Sequence, residues 1–293
     1  MRRKTLYITD LDGTLLNDSH QISPASRTLL NHAVSRGALV SIATARTPAT
    51  VNEILRGIDL RIPAVVMTGA ALWDIHTRQY SDVQYFTPDQ VEKVIEAYLS
   101  TDSGAFLYTL EDRVGMDAAA REISDKMLSI YHFGEMTEAE RHFMNERIGN
   151  PYKVFHVDPS VGVDFSAIAN AVLFFGIRKA VEGEPTFSAL RHIKGVNPMC
   201  YHDWYGPSVT EMEAFPEGAT KAKAIRRLAE KVGADRIVVF GDNRNDLSMM
   251  EVADWAVAVG NALDEVKEAA DEVIGSNEAD AVPRYILEEM NYT

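Results

Sequence analysis

Asp10 and Asp12, separated by one leucine and followed at once by Gly13 and Thr14, are where chemistry first becomes legible in this chain. They close a run of apolar and β-branched residues, Thr5-Leu6-Tyr7-Ile8-Thr9, that reads as a buried strand ending in a turn. Residues two apart on an extended chain project to the same side, so the two carboxylates are expected to converge unless the turn intervenes. A few Å apart they would repel by about 1 kcal/mol in water and about 4 kcal/mol at an effective dielectric of about 20. A hard divalent cation offsets that repulsion, and Mg²⁺ suits a site of one or two carboxylates, waters and a substrate phosphate. A lone Asp-x-Asp-Gly is usually a plain strand-ending turn, so its weight depends on what else the chain brings to it.

Three other places bring something. Lys221 falls in the first turn of a helix opened by Gly218-Ala219-Thr220, where a cation opposes a macrodipole that favours anions by about 0.3–1 kcal/mol. Its position points to an anion nearby, the alternative being a solvated surface lysine. Thr44 ends an apolar strand and leads into Ala45 and Arg46. Asp242 and Asp246 bracket a turn, Gly241-Asp-Asn-Arg-Asn245-Asp246, that stops another strand; Asp246 also reads as the N-cap of the next helix, a task Asn245 could share. All four places lie at ends of elements on what should be one rim of one sheet, where open α/β sheets bind ligands.

The elements that must position them alternate. Ser23-Pro24 to Gly37 carries the N-cap, N1 proline and C′ glycine of a helix, residues 38–43 read as a strand, Thr47-Pro48 to Gly57 as a second helix, and Pro63 to Met67 as a third strand ending at Thr68-Gly69-Ala70. That is a parallel α/β unit with right-handed crossovers. From Val83 the pattern becomes α+β. A helix over Pro88 to Leu99, a hairpin of residues 105–109 and 113–116, and a helix at Thr137 capped with Glu140 are expected. Strands near 153–156 and 171–177, a helix over 186–193 and a hairpin of 199–202 and 208–212 follow. The α/β pattern resumes at Gly218, with strands at 236–240, 255–259 and 272–274. One domain, residues 1–82 and 217–293, is thus expected to be split by another, residues 83–216.

Composition narrows the function. The 293 residues suffice for two domains, and 43 Asp and Glu against 29 Lys and Arg give a net charge of −14, with no basic cluster of the kind nucleic acid binding needs. The single cysteine, Cys200, rules out an intramolecular disulfide and fits a reducing, cytoplasmic location. Asp10 and Asp12 interrupt the apolar stretch that follows Arg2, Arg3 and Lys4, so it is not read as a signal peptide, and no window reaches the roughly 18 apolar residues of a membrane helix. The eight histidines show no zinc-type spacing and read as structural or solvated. A monomer or small homo-oligomer is expected.

In their order, Asp10-Leu-Asp-Gly-Thr-Leu-Leu, Thr44-Ala-Arg46, Gly218-Ala-Thr-Lys221 and Gly241-Asp-Asn-Arg-Asn-Asp246 resemble the motifs of the haloacid dehalogenase superfamily. The long insertion between the second and third resembles the C2-type cap of its Cof-type sugar-phosphatase branch. The resemblance implies a Rossmann-like parallel core with an α+β cap, and a phosphatase acting on a small phosphorylated metabolite. It makes Asp10 the nucleophile that becomes an aspartyl phosphate, and Asp12 the acid that protonates the leaving oxygen and then activates water. It further implies Mg²⁺ held by the Asp10 carboxylate, the Asp12 backbone carbonyl and Asp242, with Asn245 and Asp246 close by. Thr44 and Lys221 would hold the phosphoryl group, with Ala45, Arg46, Thr68, Gly69 and Asn245 around the substrate. Trp204, in Asp203-Trp204-Tyr205-Gly206 at the second hairpin's tip, is a candidate for stacking on a sugar. Ala45 and Ala222 stand where many relatives have glycine, and Thr68 where this branch shows asparagine. A phosphotransferase or mutase would use the same residues on a sugar hydroxyl, while a phosphoaspartate receiver or a non-catalytic Mg²⁺-binding protein would use them without turnover.

Overall fold

The computed structural model describes residues 3–101, 103–110, 128–145, 153–157, 168, 170–202 and 208–292. The chain forms two compact units, residues 1–82 with 219–293, and residues 83–218.

The first unit begins with β1 (Thr5–Thr9), α1 (Pro24–Ser35), β2 (Leu39–Ile42), α2 (Pro48–Ile54) and β3 (Ala64–Val66). Ser23 caps α1 by accepting from the Ser26 N–H at 2.9 Å, with Pro24 at the first helical position. Thr47 precedes α2 in the same sequence pattern, and its side chain makes no capping hydrogen bond there. The strand expected to continue the parallel series, β3, touches it only through a parallel bridge from Ala43 to Val65. It turns back instead into β4 (Ala71–Asp74) and β5 (Gln79–Ser81), an antiparallel three-stranded sheet the sequence reading missed. Its turn at Asp74 has the Asp74 carboxylate accepting from the N–H groups of His76 and Thr77.

The inserted unit contains α3 (Pro88–Leu99), β6 (Ala105–Leu110), β7 (Leu128–Phe133), α4 (Glu138–Phe143), β8 (Lys153–Val157), β9 (Ala171–Lys179), α5 (Ala180–Leu190), β10 (Val196–His202) and β11 (Val209–Pro216). Its six-stranded sheet runs β10-β11-β9-β6-β7-β8. Both edges of β6 are taken, by β7 and β9; residues 113–116, the second strand of the hairpin expected after it, lie outside the described residues. Thr137 and Glu140 form the expected capping box. The helix expected from 186 starts earlier, at Ala180, and carries Pro185 inside it. Residues 203–207, including Trp204, also lie outside the described residues.

The first unit resumes with α6 (Lys221–Val232), β12 (Arg236–Gly241), α7 (Leu247–Met250), β13 (Trp255–Ala258), α8 (Asp264–Ala269), β14 (Glu272–Val273) and α9 (Ala281–Tyr292). Its main sheet is parallel, in the order β14-β13-β12-β1-β2. Leu6, Ile8, Val238, Phe240 and Val257 are fully buried in it, as strands covered on both faces require. The order reverses direction at β1, between β12 and β2. That switch point is where a ligand crevice forms, and it places the ends of β1, β2 and β12 side by side.

Candidate active site

The strand β1 stops at Thr9 because the backbone leaves the ladder there. The Asp10 N–H still donates to the Phe240 carbonyl at 2.9 Å, and then Leu11–Leu15 wind into one wide turn closed by the Leu16 N–H on the Leu11 carbonyl at 2.8 Å. Gly13 has φ +75°, and a Cβ there would lie 2.4 Å from Asp242 Oδ2, so only glycine lets the turn pass the aspartate after β12. The turn also divides the two acids that an extended chain would have brought together.

Asp10, 5 % exposed, receives Lys221 Nζ on Oδ1 at 2.8 Å. The same ammonium reaches Asp246 Oδ1 at 2.7 Å, and Lys221 is 1 % exposed. The anion sought near Lys221 is therefore a pair of carboxylates, and the lysine is no solvated surface residue. Asp246 Oδ2 accepts from the backbone N–H groups of Asp242 at 3.0 Å and Asn243 at 3.2 Å. Asn243, rather than Asn245 or Asp246, caps this turn, with Asp246 completing its capping box. Asp246 makes no side-chain cap for α7. Gly241 permits the close approach, since a Cβ there would lie 2.6 Å from the Asp246 Cβ. Asp242 Oδ1 is held by Thr14 Oγ1 at 2.7 Å.

Asp12 faces elsewhere. Arg46 grips it with Nε on Oδ2 at 2.7 Å and Nη2 on Oδ1 at 2.6 Å, and His20 Nδ1 lies 3.3 Å from Oδ1. His20, with its side chain 70 % exposed, is solvated as expected of the histidines, and it also meets Asp12. Its only signal in the sequence is nearness to Asp12, because a tight turn returns the chain here, with the His20 N–H on the Asn17 carbonyl at 2.8 Å. Thr44, 1 % exposed, lies two residues beyond the end of β2 and accepts the Arg46 N–H on Oγ1 at 3.1 Å. Its carbonyl accepts the Thr68 N–H at 3.0 Å. Thr68 itself has φ +55°, an uncommon conformation for a β-branched residue, and its buried Oγ1 has no hydrogen-bond partner. Gly69 lies against the backbone of Thr220, beside Lys221.

The electrostatics follow from burial. Burial pushes the Asp10 carboxyl up; Lys221 pulls it down, Asp246 and Asp242 push it up again, and it settles at about 8. Burial raises Asp242 to about 6, partly opposed by the Thr14 hydrogen bond. Lys221 is held more firmly protonated than a free lysine, because Asp10 and Asp246 outweigh the cost of burying its charge. Asp12 moves the other way: burial would raise it, and the hydrogen bond and charge of Arg46 bring it below the usual carboxylate range. The cluster around Asp10 is short of positive charge, and the Arg46 clasp is not.

Asp10, Asp242 and Asp246 each offer an oxygen within 4.8 Å of the others, and Asn245 Oδ1 is buried without a partner. Hard oxygen donors in surplus over one ammonium, beside an orphaned amide oxygen, fit a divalent cation of the Mg²⁺ type. The Asp12 carboxylate is not in this group, and Asp246 already uses both of its oxygens.

A parallel α/β sheet that presents a buried acid–lysine–acid cluster at its switch point defines an enzyme of the Rossmann-like class. The chain belongs to the haloacid dehalogenase-like hydrolase family, whose model matches residues 7–286. It is 28 % identical over 283 residues to a 5-amino-6-(5-phospho-D-ribitylamino)uracil phosphatase of Bacillus subtilis, covering 96 % of this chain and 94 % of that one. It is 24 % identical to the pyridoxal phosphate phosphatase of Escherichia coli, covering 94 % and 95 %. In fold it is similar to a haloacid dehalogenase-like hydrolase from Bacteroides thetaiotaomicron, with a TM-score of 0.72, 21 % identity, and 98 % and 100 % of the two chains covered. Among the described residues no helix is long and apolar enough to cross a membrane.

Proposed function

We propose that this phosphatase is a Mg²⁺-dependent phosphomonoesterase that cleaves a small phosphorylated metabolite, a sugar phosphate or close analogue, through an aspartyl phosphate on Asp10. The observation that carries the reading is Lys221, buried and bridging Asp10 and Asp246 beside Asp242. A nucleophilic carboxylate must be ionised, and Asp10 in this company is pushed towards the protonated form. Mg²⁺ at Asp10, Asp242, Asn245 and the Asp12 carbonyl would supply the missing positive charge and neutralise the phosphate. Asp246 acts from behind, fixing Lys221 and the turn that carries Asp242.

An Asp10 oxygen attacks phosphorus and the bond from phosphorus to the leaving oxygen breaks; Asp12, which Arg46 holds ionised in the free chain and which must first take up a proton as the substrate displaces that contact, delivers it to the leaving oxygen. Water then attacks the phosphorus of the aspartyl phosphate, Asp12 takes the proton, and phosphate leaves with Asp10 restored. Lys221 and the Thr44 hydroxyl stabilise charge on the phosphoryl oxygens. Thr68, with its unpartnered hydroxyl in a strained turn, and Gly69 line the substrate, as would Ala45. The two relatives are named for small phosphorylated molecules that contain nitrogen, one carrying its phosphate on a ribityl chain, which supports a metabolite of that size.

The test is phosphate release from a panel of phosphorylated metabolites, with Mg²⁺ and with a chelator. Activity that needs Mg²⁺, disappears on chelation and returns when the metal is restored is expected. Full turnover in a metal-stripped sample would overturn the metal assignment, and release from no ester would overturn the whole reading.

A further inference from the structure

Asn261 and Asn277 stand on the loops that follow β13 and β14, and their side chains reach across the first unit to the turn after β1. Asn261 Nδ2 donates to the Gly13 carbonyl at 2.7 Å, 248 positions away, and its Oδ1 accepts the Asn277 N–H at 2.9 Å. Asn277, 8 % exposed, donates from Nδ2 to the Leu16 carbonyl at 3.0 Å and to Asp18 Oδ1 at 3.1 Å. The two amides thus form one strut that meets the wide turn in its middle and at its exit. Their loops can meet because Gly260 has no side chain. A Cβ there would lie 3.1 Å from both the Ile274 carbonyl oxygen and the Ser276 nitrogen.

That turn carries Asp12 on irregular backbone. Asp12 and Gly13 both leave helical angles within it, and Leu11 and Leu16, fully buried, anchor its ends. Arg46 and His20 hold the Asp12 carboxylate, but not the backbone from which it projects. Asn261 holds that backbone, at the peptide unit immediately after the kink. Its own stability does not require the bond: Asn261 is exposed, and water satisfies an exposed amide and carbonyl as well as they satisfy each other. What the side chain adds over water is a fixed position. The Gly13 carbonyl can only accept and the Asn277 N–H can only donate, so the amide is held in one orientation.

We propose that Asn261, braced by Asn277, is a positioning residue that holds this turn so that Asp12 can pass its proton to the leaving oxygen. The inference rests on the phosphatase reading above. Misplacing a reacting group by about 1 Å can cost about 10²-fold in rate. The loss falls on proton transfer, because Asp10 is held separately, by the Phe240 carbonyl and by Lys221.

Phenyl phosphate and p-nitrophenyl phosphate test it with the Mg²⁺-loaded enzyme. Phenolate needs a proton as it leaves, whereas p-nitrophenolate departs with little help, so the pair separates proton transfer from everything else the site does. In Asn261→Ala, kcat/KM should fall about tenfold more on phenyl phosphate than on p-nitrophenyl phosphate, with Tm unchanged, and Asp12→Ala should show the same bias more strongly. Asn261→Asp keeps an acceptor for the Asn277 N–H but loses the donor to Gly13, and it should share the bias. An equal loss on both esters, no loss, or a wild-type ratio in Asn261→Asp overturns the inference while leaving the phosphatase reading standing. Release of phosphate by the wild type from neither ester and from no metabolite of the panel overturns both.

Discussion

Arg46 holds Asp12 through two parallel hydrogen bonds, at 2.7 and 2.6 Å, with the arginine side chain 18 % and the aspartate side chain 27 % exposed. A bidentate guanidinium fixes both the position and the charge of a carboxylate. Arg46, expected to meet the substrate, is thus placed to act through Asp12. Arg46→Gln should lower kcat by about tenfold or more, within the range of general acid–base help, and leave KM little changed. Steady-state kinetics decide: a raised KM with kcat intact would return Arg46 to substrate binding.

The two motif acids should fail differently. Asp10→Asn should form no phosphoenzyme and show essentially no turnover, because an amide is a poor nucleophile. Asp12→Ala should lose about 10²–10⁴-fold through proton transfer. Acid-quenched phosphoenzyme trapping distinguishes them, and phosphoryl transfer to Asp12 in the Asp10→Asn protein would reverse the assignment.

Removing Lys221 exposes the charge imbalance. Lys221→Met should abolish activity and, without metal, destabilise the fold by about 3–5 kcal/mol, since Asp10 and Asp246 lose their buried partner. Chemical denaturation with and without Mg²⁺ measures this, and an unchanged midpoint would show that the pair contributes nothing to stability.

Glu213, buried within β11, gives a pH signature of defined sign. Its folded pKa is about 8 against an ordinary 4.5, so between those values the folded chain holds a proton that the unfolded chain has released. Stability must therefore fall as pH rises through that window. Glu213→Gln, which cannot ionise, should melt higher than the wild type at pH 8, and the gap should close towards pH 5. A gap independent of pH would mean that Glu213 finds a partner when it ionises.

Gly13→Ala tests the turn itself. A residue with φ +75° and a Cβ 2.4 Å from Asp242 Oδ2 must displace that carboxylate, so loss of Mg²⁺ affinity should exceed the strain of about 1–3 kcal/mol expected for the backbone alone. Mg²⁺ titration followed by thermal shift reads it, and wild-type affinity would show that the turn can adapt.

Local chemistry was legible in the sequence wherever a few adjacent residues settle the outcome. Ser23-Pro24 begins α1, and Thr137 and Glu140 make their capping box. The alternation of apolar strands and capped helices was enough to indicate a parallel core. The tertiary structure decided what depends on distant partners. Lys221 meets Asp10 across 211 positions, which no local pattern encodes. The antiparallel turn-back of β3 depends on pairing, and β7 and α9 were missed altogether. The separation of Asp10 from Asp12 depends on backbone angles at Asp12 and Gly13 that end the two-residue repeat of the strand. Which acid is starved of positive charge and which is held ionised followed from that separation, because burial and neighbours, rather than residue type, set a carboxylate's charge.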